Sequence, residues 1–156
     1  MTNVVDLREP NDIEDFHVII DKTINEHGFA VVYVGGDEQT TPFGYTIGLC
    51  PDYGKEIVLE SSVPPNFCQD ILNMLADELK NDGEVTGKCI GEHYRIRGTD
   101  APVRFQITKV PLLEKWVERY LICHHFYRIN PEHEAIVVFL GDDENRLPGE
   151  EGYSFY

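Results

Sequence analysis

The chain has 156 residues and carries 13 Lys and Arg against 28 Asp and Glu, a formal net charge of −15. That size fits a single domain, 1–156, able to bury a core, and 42% hydrophobic and 11% aromatic content excludes a disordered chain. The charge excludes bulk nucleic acid as a partner, because neutralising phosphates needs a basic face, and no apolar run approaches the roughly 18–20 residues of a membrane span.

The first ten residues, through Pro10, read as an arm. They include Asp6 and lack the basic, apolar and small-residue regions of an export signal, so the expected location is cytoplasmic. A helix is predicted from Asn11, where Asn11 and Glu14 form a capping-box pattern. Ile13, Phe16, Ile20 and Ile24 follow at helical spacing, and His27-Gly28 stops the helix. Three β-like runs come next, Phe29–Val34, Phe43–Leu49 and Glu56–Glu60. A second helix opens at Pro64-Pro65, buries Cys68, Ile71, Leu72, Leu75 and Leu79, and ends at Asn81-Asp82-Gly83. Two strands are predicted over Val85–Arg97 and Val103–Val110, joined across Gly98–Pro102 as a hairpin. A third helix fits Leu112–Tyr127, a last strand fits Ala135–Leu140, and an irregular acidic tail follows over 141–156. Short links between neighbouring strands favour antiparallel pairing. The expected fold is α+β, a mainly antiparallel curved sheet or partial barrel with about three helices.

Cys50, Cys68, Cys89 and Cys123 contain no C-x-x-C pair and each adjoins apolar residues. They are expected to be small buried hydrophobes in a reducing compartment. His124-His125 would point about 100° apart on a helix, and no H-E-x-x-H pattern is present, so no metal site and no cofactor are predicted. There is no G-x-S-x-G, G-x-G-x-x-G or P-loop pattern, and no catalytic residue is assigned.

One set of residues carries a family resemblance. His27-Gly28-Phe29 leads into an apolar strand, Pro42-Phe43-Gly44-Tyr45-Thr46-Ile47-Gly48-Leu49 follows, and then Lys55-Glu56-Ile57-Val58-Leu59. The chain ends with Gly141-Asp142-Asp143-Glu144-Asn145-Arg146-Leu147-Pro148-Gly149-Glu150-Glu151-Gly152-Tyr153. This resembles the bacterial and phage family filed as domain of unknown function 4262, over His27 to Tyr153. Tyr45-Thr46-x-Gly48-Leu49 is its most specific part. Lys55 stands where members usually have His-Pro, and Gly141 where the tail usually has Pro. The resemblance implies a shared fold and transfers no catalytic residue.

Charge is unevenly distributed. Met1 to Glu78 holds 15 acids and 3 bases, Leu79 to Pro131 holds 6 acids and 9 bases, and Glu132 to Tyr156 holds 7 acids and 1 base. The middle of an acidic chain is therefore locally basic. Strand alternation would put His93, Arg95 and Arg97 on one face, and Arg104, Gln106 and Thr108 on one face of the next strand. Paired across the loop, these side chains would form one surface on which guanidinium forks could grip phosphate or carboxylate oxygens. The bland alternative is that these arginines make surface ion pairs with nearby acids. Tyr45 and Thr46 are candidates to line the same pocket. The small residues Gly44 and Gly48, which share a strand face with Thr46, also suit close packing of a helix.

Three functions follow as expectations. The first is a non-catalytic binding domain for a small anionic ligand, a nucleotide-derived signal or phosphorylated metabolite. The phage membership implied by the resemblance makes a sequestering protein one form of it. The second is an acidic protein–protein interaction module or inhibitor for a basic partner, one form of which imitates nucleic acid. The third is a hydrolase acting on a nucleotide-like ligand. Self-association into a homo-oligomer stays open.

Overall fold

The computed structural model describes residues 4–6, 13–34, 42–61, 63–96, 98–112, 131–142 and 144–153. Along them run β1 (Val4–Asp6), α1 (Ile13–His27), β2 (Ala30–Val34), β3 (Phe43–Ile47), α2 (Cys50–Tyr53) and β4 (Lys55–Leu59). After these come α3 (Pro65–Asp82), α4 (Lys88–His93), β5 (Phe105–Pro111) and β6 (Glu134–Leu140). Apart from Leu112, the helix expected over Leu112–Tyr127 lies outside the described residues.

The six strands form one open sheet in the order β1-β2-β3-β4-β6-β5. The fold is α+β, as expected, and the sheet is mixed rather than purely antiparallel. β2–β3, β3–β4 and β5–β6 are antiparallel, whereas β1–β2 and β4–β6 are parallel. The antiparallel meander β2–β3–β4 follows from short links. The parallel pairs join strands far apart in sequence, which local periodicity does not report. Val4–Asp6, read in the sequence as part of an arm, adds β1 beside β2.

One correction bears directly on the site. The strand expected over Val85–Arg97 is instead the short helix α4, followed by an abbreviated hairpin. In that hairpin Arg95 bridges Pro102, Val103 N–H donates to Tyr94 O at 3.1 Å, and Ile96 N–H donates to Ala101 O at 2.8 Å. The reason lies outside the segment. The carboxylate of Glu78, on the preceding helix, accepts hydrogen bonds from the backbone N–H and hydroxyl of Thr86 and from Gly87 N–H at 3.3 Å. It thereby anchors the turn that leads into α4, which local propensity leaves undecided.

Both sheet faces are apolar. On one, Phe29, Val31, Tyr33, Ile57, Leu59, Ile136 and Val138 pack with Cys68, Ile71, Leu72, Leu75, Ala76 and Leu79 of α3. On the other, Ala30, Val32, Phe43, Tyr45, Ile47, Val58, Ala135 and Val137 cluster with Ile20 of α1. Each fully buried Leu or Ile contributes roughly 1.5–3 kcal/mol relative to exposure. α3 follows its sequence closely: Pro65 opens it, and Gly83, at φ 77°, closes it with its N–H donating to Leu79 O. α3 also lies against Gly44, where an added Cβ would fall inside the shell of Cys68 Sγ and 3.4 Å from Leu72. No described helix is long and apolar enough to cross a membrane.

Candidate functional site

The junction from β3 through α2 to β4 is organised by one carboxylate. Glu56 is only 1% exposed. Its Oε1 accepts the Thr46 hydroxyl at 2.7 Å and Leu49 N–H at 3.3 Å. Its Oε2 accepts Gly48 N–H and Cys50 N–H, each at 3.0 Å. Ile57 N–H in turn donates to Thr46 Oγ1 at 2.9 Å. Thr46 thus passes on a hydrogen bond in the line of the ladder, while Glu56 holds the free N–H groups where the chain turns into α2. The buried carboxylate is stable there because its oxygens have several donors. Gly48, at φ 114°, makes the turn, and an added Cβ would stand 3.2 Å from Gly28 O and Phe29 Cα. Tyr45 points to the opposite face, 2% exposed, with its ring 6.1 Å from that of Phe43 in a stacked pair. Tyr45 and Thr46 are therefore buried in the sheet, and Thr46 is bonded to Glu56.

Burial, more than this carboxylate, sets the chemistry of the nearby cysteines. Burial first, and the nearby Glu56 charge second, push the Cys50 thiol up to about 12. Burial alone pushes Cys68 up to about 12. Since the thiolate is the reactive form, burial of this kind disfavours reaction of both thiols in the folded chain. Iodoacetamide at pH 8 is expected to leave Cys50 and Cys68 unmodified in the native protein and to label them fully in urea, read by mass spectrometry. Rapid native labelling of Cys50 would mean that this junction is open in solution.

The second focus is where the hairpin meets the tail. Asp142, with a side chain 2% exposed, receives Glu144 N–H at 3.0 Å and Arg146 N–H at 2.8 Å on Oδ1, and Arg146 Nε–H at 2.9 Å on Oδ2. This turns the tail back on itself. Asn145, at φ 62°, clasps it to the hairpin: its Oδ1 accepts Arg104 N–H at 2.9 Å and its Nδ2 donates to Pro102 O at 3.1 Å. Two tight turns follow, with Glu150 N–H on Leu147 O at 3.0 Å and Tyr153 N–H on Glu150 O at 3.1 Å. Gly149 and Gly152 take positive φ, 90° and 82°, at the third position of each.

The predicted arginine surface is only partly assembled. Arg104 reaches the tail, where its Nη1 donates to Glu150 Oε1 at 2.7 Å and to Asn145 O at 3.1 Å, and its Nη2 donates to Glu150 Oε2 at 3.2 Å. This is a two-pronged grip on a carboxylate, with 49% of the Arg104 side chain exposed. Arg95, exposed on the same hairpin, donates from Nη1 to Gly91 O and to Tyr94 O at 3.1 Å, close to the end of α4. His93 is the exposed last residue of α4, not a strand residue. Gln106 and Thr108 lie on β5, half-buried and exposed respectively, alternating with Phe105 and Ile107, which pack on the α3 core. Arg97 lies outside the described residues, as do His124 and His125. Sequence reasoning missed Glu56, Glu78 and Asp142. For Glu56 one signal was present: a carboxylate soon after Gly48-Leu49-Cys50-Pro51, a turn whose N–H groups need acceptors.

Among the described residues no group of three or more His, Cys, Asp or Glu side chains is placed to hold a metal ion. A family model described as Domain of unknown function (DUF4262) matches residues 23–154, which include both the Thr46–Glu56 junction and the tail turns. No curated protein and no solved structure matches the chain.

Proposed function

Taking as premise that the chain belongs to the DUF4262 family, we propose that it is a non-catalytic binding domain for a small anionic ligand, of the nucleotide-derived or phosphorylated-metabolite class. The observation that carries this reading is the two-pronged grip of Arg104 on the Glu150 carboxylate at an exposed surface. A guanidinium set in that geometry meets two phosphate or carboxylate oxygens equally well. Arg95 adds a second exposed guanidinium on the same hairpin, in the part of the chain where bases outnumber acids. The acidic remainder repels a long polyanion far more than a small one, which favours the small ligand.

The test is calorimetry against a panel of nucleotides and sugar phosphates at low ionic strength. Arg104→Ala is expected to weaken binding at least about tenfold, and Arg95→Ala with Arg104→Ala to abolish it, because each lost charge-assisted bond is worth roughly 1.5–3 kcal/mol. Both side chains are exposed, so the melting temperature should stay within a few degrees. Binding undiminished in the double variant, or no binding across the panel, sinks the reading.

A second reading, an acidic interaction module, is favoured by α1. That helix leaves Val18 and Ile19 exposed, 69% and 49%, beside exposed Asp21 and Glu26.

A further inference from the structure

We infer that Glu150 is a built-in competitor for the anion position at Arg104, so that a ligand anion enters by displacing the chain's own carboxylate. This rests on the binding reading above and specifies how that site is controlled.

Both partners are positioned before they meet. The backbone of Arg104 is fixed on both sides of its Cα: its N–H donates to Asn145 Oδ1 at 2.9 Å, and its carbonyl accepts Gly141 N–H at 2.8 Å. The Glu150 side chain is set by its own turn, because Leu147 N–H donates to Oε1 at 2.6 Å while Glu150 N–H returns to Leu147 O. Pro148-Gly149 builds that turn, since proline suits its second position and Gly149 supplies the positive φ of its third. The carboxylate therefore presents two oxygens to the guanidinium much as a free carboxylate or phosphate would.

The pair is not the only tie between tail and hairpin. Asn145 also clasps Pro102 O and Arg104 N–H, while Asp142 with Arg146 folds the tail back on itself. Moreover, side chains 49% and 42% exposed make a weak ion pair, screened by water and salt. A weak, exposed, preformed pair is easily exchanged for a ligand anion. The Arg104 hydrogen bond first, and the Leu147 N–H next, hold the Glu150 carboxyl below its ordinary value of 4.5. The competitor is therefore charged throughout the neutral range and withdraws only in acid.

The experiment uses pyrophosphate as probe, titrated calorimetrically into the full chain at low ionic strength. Parent, Glu150→Gln, Glu150→Ala and Arg104→Ala with Glu150→Gln are compared. Both single Glu150 variants are expected to bind about three- to fivefold tighter than the parent, the population penalty that an exposed pair imposes. The Arg104→Ala double variant should lose that binding. If the parent binds through Arg104 but both Glu150 variants bind equally or more weakly, Glu150 does not compete. The inference then fails while the binding reading stands. If neither Glu150 variant binds pyrophosphate, inorganic phosphate or succinate, the anion site itself is wrong and the inference falls with it.

Discussion

Replacing Glu56 by Ala is expected to cost the fold about 3–5 kcal/mol, the largest effect of any polar substitution in the described residues. The change strips an acceptor from the Thr46 hydroxyl and from the N–H groups of Gly48, Leu49 and Cys50 together. Water cannot easily take its place, because Thr46, Leu49 and Cys50 are all buried. Glu56→Gln should also be costly, at roughly 2–3 kcal/mol, since its amide NH2 must then face a donor. Urea denaturation monitored by circular dichroism measures both. A loss under about 1 kcal/mol for Glu56→Ala would show that the junction does not depend on this carboxylate. A restructured junction should also make Cys50 reactive, which links this result to the alkylation experiment.

Gly44→Ala is expected to destabilise by about 1–3 kcal/mol, and Cys68→Ala to recover part of that loss. Gly44 has ordinary backbone geometry, so conformational freedom is not the issue. The glycine matters because Cys68 of α3 occupies the space that a Cβ would need, with Leu72 beside it. Cys68→Ala alone should cost about 1 kcal/mol or slightly more through the small void it leaves. In the double variant the new methyl fills that void, so the two losses should fall short of additivity by at least about 1 kcal/mol. Simple additivity would mean that α3 shifts away from the sheet rather than clashing at this point.

These two sites show what the chain made legible and what it did not. The alternation of Phe43, Tyr45 and Ile47 against Gly44 and Thr46 was readable from period two, and the glycine face does receive a helix. α3 was readable because its apolar spacing, Pro65 and Gly83 agree with one another. α4 was not readable. Its six residues carry no N-cap side chain, and its anchor, Glu78, lies on another helix. A reader of Glu92-His93-Tyr94-Arg95-Ile96 sees alternation that fits a strand, which holds at the Arg95 bridge but not at Glu92 and His93, which belong to α4. Arg104 shows the same limit. Its basic surroundings and its strand-like neighbours were visible, but its partner, Glu150, comes from the distant tail. Glu56 was hidden for a different reason. A glutamate at the start of an apolar strand usually marks a solvated edge, and its burial depends on donors from a turn that lies across the sheet register.

The parallel pairing of β4 with β6 has a consequence for the order of assembly. Leu59 must find Val138, with α3, α4 and β5 all intervening. Closing so long a loop is entropically costly before any contact compensates it, and non-local pairing of this kind slows folding. The meander β2–β3–β4 needs only short closures, so it can form first and wait as a template. The tail follows β6 directly, and its Asn145 and Glu150 reach Arg104 once β5 has paired with β6. A nascent chain stalled before β5 pairs with β6 would hold the Glu56 junction complete and the Arg104–Glu150 pair unmade.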